Sequence, residues 1–75
     1  MLVKFSRHAK RRAKLYNISE PTIENILVNM DLTQGEHKVI KNVSGFRYPI
    51  KIVVAVEGDI ITVITSYPLK KGRGQ

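Results

Sequence analysis

FRYPIKIVVAVEGDIITVITSY, residues 46–67, decides the fold. Phe46, Tyr48, Ile50, Ile52, Val54 and Val56 recur at every second position, the period of a strand with one buried face. Gly58-Asp59 offers a two-residue turn, and Ile60–Tyr67 returns as a second strand. If the two strands pair without interruption, Val56 faces Ile61, Val54 faces Val63, Ile52 faces Thr65 and Ile50 faces Tyr67, all eight on one side. Pro49 lacks an N–H, so a bulge or an unpaired edge is expected there. The other side carries Val53, Ala55, Thr62 and Ile64 beside Lys51 and Ser66. That is too apolar for plain solvent surface, and a partner chain or a second copy in a homodimer is expected to cover this exposed sheet face.

Working backward, His37–Val43 also alternates, and Ser44-Gly45 supplies a turn into the long strand, which makes a three-stranded antiparallel meander. Before it the period changes to that of a helix. Ser19 is an N-cap, Glu20 and Glu24 lie in the first turn, and Pro21 sits where a missing N–H costs little. Ile18 and Ile23 form a hydrophobic staple. Ile23, Ile26, Leu27 and Met30 follow as an apolar stripe, giving a helix over about 20–30. Leu2–Phe5 is a short extended lead into an earlier helix, Arg7–Tyr16, capped by Ser6 and stopped at Asn17. The predicted fold is α+β, with two N-terminal helices packed on one face of the meander. The 75 residues form a single domain ending in a basic tail over 68–75.

Charge is polarised along this chain. Residues 1–18 carry six basic side chains and no acid, residues 60–75 carry three and no acid, and the middle is slightly acidic, for a net +7. Ends that meet in space would form one positive patch suited to a polyanion. On the first helix Arg7, Lys10, Arg11 and Lys14 share one side, with Ala9, Ala13 and Tyr16 opposite. The plain reading of that side is a solvated face; the functional reading is a surface for phosphates, to which Arg47, Lys70 and Lys71 would add.

Several chemistries are excluded. The glycines match neither a phosphate loop nor a dinucleotide fingerprint. There is no cysteine for a nucleophile, disulfide or thiolate metal site. Ser44 and Ser66 lack a nucleophile elbow. The scattered carboxylates and two histidines give no metal-ligand spacing, so neither metal nor cofactor is expected. The longest apolar run, Ile52–Val56, is far short of the ~20 residues of a membrane helix. Met1-Leu2-Val3 is too short for the apolar part of a signal peptide. A complete, cytoplasmic chain with no membrane association is the expectation.

Any active site must therefore use His, Arg, Lys and Tyr. Metal-free RNA cleavage can be built from them. His8, of the residue type that titrates nearest neutrality, serves as acid or base. Arg12, one turn on, or Arg47 holds phosphorane charge. Tyr67 is the second acid/base or a platform for a base. Against this stands a structural reading, in which Arg12 reaches a carboxylate or a carbonyl, His8 is satisfied by backbone and Tyr67 caps the core.

Ser6, His8, Ala9, Arg12 and Ala13, then Asn17-Ile18-Ser19, and finally Thr65-Ser66-Tyr67-Pro68, follow in the order and spacing of a small bacterial and archaeal family. The chain resembles this family of unknown function, which is grouped with the RelE/ParE and BrnT toxins. Tyr16 stands where that family often has Arg, and Asn17 where it has Gly. The resemblance implies a RelE-toxin-like fold and an endoribonuclease acting on RNA or the ribosome, restrained by an acidic antitoxin, with His8, Arg12 and Tyr67 as its catalytic positions. The alternative is a non-catalytic module that binds nucleic acid or an antitoxin-like partner.

Overall fold

The computed structural model describes residues 2–69. Its elements are β1 (Leu2–Phe5), α1 (Arg7–Leu15), α2 (Glu20–Val28), β2 (Gly35–Lys41), β3 (Ile50–Glu57) and β4 (Ile60–Pro68). Both helices contribute to one core with the sheet, so the α+β class holds. The sheet itself differs from the expected meander: it has four strands in the order β1-β4-β3-β2. Leu2–Phe5 is not a lead-in but a strand, parallel to β4 from Leu2↔Ile60 to Phe5↔Val63. Four residues are too few to display a period, and parallel partners carry no local turn to announce them. The ends of β1 are fixed by Leu2 N–H donating to Asp59 O at 2.9 Å and Ser6 N–H donating to Val63 O at 3.0 Å.

Local chemistry explains the helices. The Ser6 hydroxyl accepts from Ala9 N–H at the start of α1. At its end Asn17 adopts φ 58°, Ile18 N–H donates to Ala13 O at 2.8 Å and Asn17 N–H to Lys14 O at 3.3 Å. This is the Schellman pattern, with Ile18 and Ala13 buried together as its apolar contact. Ser19 accepts from Thr22 N–H and opens α2 as expected. The helix ends at Val28, sooner than the apolar stripe implied, because Asn29 caps it and folds its side-chain amide back onto Asn25 O at 2.8 Å.

Ala9, Ala13, Ile18, Ile23 and Leu27 meet Val39, Ile50, Ile52, Val54, Val56, Ile61 and Val63 in one core. β2 and β3 pair without interruption from Gly35↔Val56 to Lys41↔Ile50. Ser44-Gly45 does turn, Phe46 N–H donating to Val43 O at 3.0 Å. Residues 46–49 nevertheless do not extend β3: its regular pairing ends at Ile50, with one further bond from Leu69 N–H to Pro49 O at 2.8 Å. The β3–β4 turn has Gly58 at φ 62° and is bracketed by Gln34, whose amide donates to Gly58 O at 3.1 Å and accepts from Gly58 N–H at 2.8 Å.

The register also departs from expectation. Val56↔Ile61 and Val54↔Val63 pair as read, but the next pair is Val53↔Thr65, leaving Ile64 as an extra residue in β4. The bulge falls here and not at Pro49. Beyond it every side chain of β4 changes face. Ile52 lies opposite Ser66 and Ile50 opposite Pro68, replacing the expected Thr65 and Tyr67. Ser66 is driven into the core with 0% exposure, and Tyr67 is turned outward beside Lys51.

Candidate nucleic-acid interface

Ala9 and Ala13 let α1 lie close on the sheet, and their burial fixes how the helix is rotated. Arg7, Lys10, Arg11 and Lys14 are all exposed as a consequence. Arg12 is half-buried at the border of the core. His8 lies outside that border and is exposed, although a helix wheel sets it beside Arg12 on a seam between water and core. Leu15 stands between Arg11 and His8 on the same wheel and is 63% exposed, an apolar point within a cationic surface.

The electrostatics of α1 differ between its ends: Arg12 and Lys14 in the last turn suit the negative end of the helix dipole, whereas the first turn and the outward side carry like-charge costs. Arg7 and Lys10 crowd the positive end of the helix dipole, and its first turn contains no acid. The i,i+4 pairs Arg7/Arg11 and Lys10/Lys14 repel, by about 0.2–0.5 kcal/mol each in isolated helices. A helix selected only to stay soluble could carry mixed charge and avoid both costs.

His8 and Arg12 are neighbours on successive turns of one helix. Tyr67 is not brought to them: it projects from the sheet face opposite α1, and its ring centroid lies 6.0 Å from Lys51 Nζ. Arg47 is exposed in the 42–49 connection. Lys70 and Lys71 lie outside the described residues. Among the described residues no three of His, Asp or Glu converge as metal ligands, and no helix is long and apolar enough to cross a membrane.

A shallow groove of about 570 Å³ lies between α2 and the 42–49 connection, lined by Thr22, Asn25, Ile26, Asn42 and Val43 among others. It is uncharged and holds none of the residues singled out above. Sequence reasoning missed Ser66, whose buried Oγ has no hydrogen-bond partner. Only knowledge of the bulge could have shown that this serine faces inward.

Compared with protein-family models, curated proteins and solved structures, the chain matches none.

Proposed function

We propose that the protein binds RNA through the outward side of α1, as a toxin-like factor of the cytoplasm restrained by an acidic protein partner. One observation carries this reading: four exposed cations share one helix side with no acid among them, at a local cost of like-charge repulsion along that side. Phosphate contacts offset that cost when RNA is bound. If all four cations contact phosphates, the logarithm of the affinity falls with the logarithm of salt at a slope of about −3 for single strands and about −3.5 for duplex. Filter binding across a salt series tests it; undetectable or salt-independent binding overturns it.

The exposure of His8 favours a second reading in which the bound RNA is also cut. His8 takes the 2′-hydroxyl proton, the 2′-oxygen bonds to phosphorus, and the bond to the 5′-oxygen breaks, that oxygen taking a proton from water. Arg12 and Arg11 hold the charge on phosphorus. Tyr67, on the far face beside Lys51, takes no part in this step. Intact RNA after incubation with and without ribosomes eliminates cleavage and leaves binding standing.

A further inference from the structure

We propose that two copies of this chain pair edge to edge through β2, antiparallel and centred on His37. β2 is the outermost strand, and its inner side is paired to β3 along its whole length without a bulge. Its outer N–H and C=O groups therefore form an unbroken row to which no strand among the described residues is paired. An exposed edge of this kind joins other strands unless something prevents it. The usual preventions are a proline, a bulge, a very short strand or charged side chains, lysine above all. β1, at the opposite edge, is short. β2 has seven residues, no proline and no bulge, and its charges differ in sign.

The order of those charges selects both the partner and the register. Glu36, Lys38 and Ile40 share the sheet face away from the helices, all exposed. In an antiparallel two-fold pair, side chains that face one another come from the same side of the sheet. Centring the pair on Lys38 sets that lysine against its own copy. Centring it on Glu36 does the same to the glutamate. Centring it on Val39 sets Lys38 against Ile40 and Lys41 against His37, with no attraction gained. Centring it on His37 sets Glu36 of each copy opposite Lys38 of the other, two ion pairs from one symmetric contact. The strand is complementary to itself in this register alone. His37 stands on the axis with Nε2–H donating to Thr33 O of its own chain at 2.7 Å. A five-residue contact is small, so the dimer is weak and forms only at high concentration.

Sedimentation equilibrium over a concentration series tests this with the full chain and two charge reversals, Lys38→Glu and Glu36→Lys. Each reversal alone replaces two attractions with two repulsions and weakens the dimer about 10-fold or more. An equimolar mixture of the two restores association, since each reversal then meets its opposite. His37→Cys gives a disulfide-linked dimer under mild oxidation, because residues on the axis lie within disulfide reach and the chain has no other cysteine. Lys41→Cys does not. A parent chain that stays monomeric throughout overturns the proposal. So does a dimer indifferent to both reversals.

Discussion

The Ser6 hydroxyl donates to the Ile64 carbonyl at 3.0 Å while accepting from Ala9 N–H at 3.0 Å. One oxygen thus caps α1 and holds the bulged residue of β4, across 58 positions of sequence. The bulge removes Ile64 from regular pairing with β3 and leaves its carbonyl for the helix start.

Ser6→Ala is expected to cost more than Ser19→Ala. Both lose a cap worth about 1 kcal/mol, but only Ser6 also strands a partly buried carbonyl, adding about 1 kcal/mol or more. Urea denaturation of the two variants checks this. Equal losses would show that the tie to Ile64 contributes nothing.

Ser66 Oγ is buried without a partner. Ser66→Ala is expected to be neutral or to stabilise by up to about 1 kcal/mol, since the hydroxyl loses its desolvation cost. Ser66→Leu should destabilise by about 1–3 kcal/mol through overpacking. Thermal melts decide it; a clear loss on Ser66→Ala would mean that the hydroxyl has a partner in solution.

Asn17 at φ 58° is tolerated but not optimal. Asn17→Gly should raise stability by a few tenths to about 1 kcal/mol, and Asn17→Val should lower it by more. A melting temperature unchanged by both would argue against the left-handed stop.

RNA affinity gives the fourth expectation. Lys10→Ala with Lys14→Ala should make the salt slope shallower by about 1.5 for single strands. Lys41→Glu, on β2, which removes the same two units of charge, should leave it unchanged. Equal effects from both variants would indicate attraction by net charge alone, with no contact surface on α1.

The helices were legible because their signals are local: Ser6, Ser19, Pro21 and Asn17 act within one turn. The β3–β4 turn and its first two pairings were legible for the same reason. β1 was hidden because its partner is the strand most distant in sequence. The bulge was hidden because the group that satisfies Ile64 is Ser6. From that single residue followed the exchange of Tyr67 and Ser66 between faces, and with it the separation of Tyr67 from His8 and Arg12. Pro49 did signal an interruption, but it ends the pairing of β3 and leaves the bulge to β4.

β4 is central to the sheet, receives β1 along one side and carries α1 above it, yet it is made after both. During synthesis the cationic segment lacks its main packing surface until residues 60–68 have left the ribosome, so a nascent chain halted before Ile60 would leave its most basic stretch without that cover beside the surrounding rRNA.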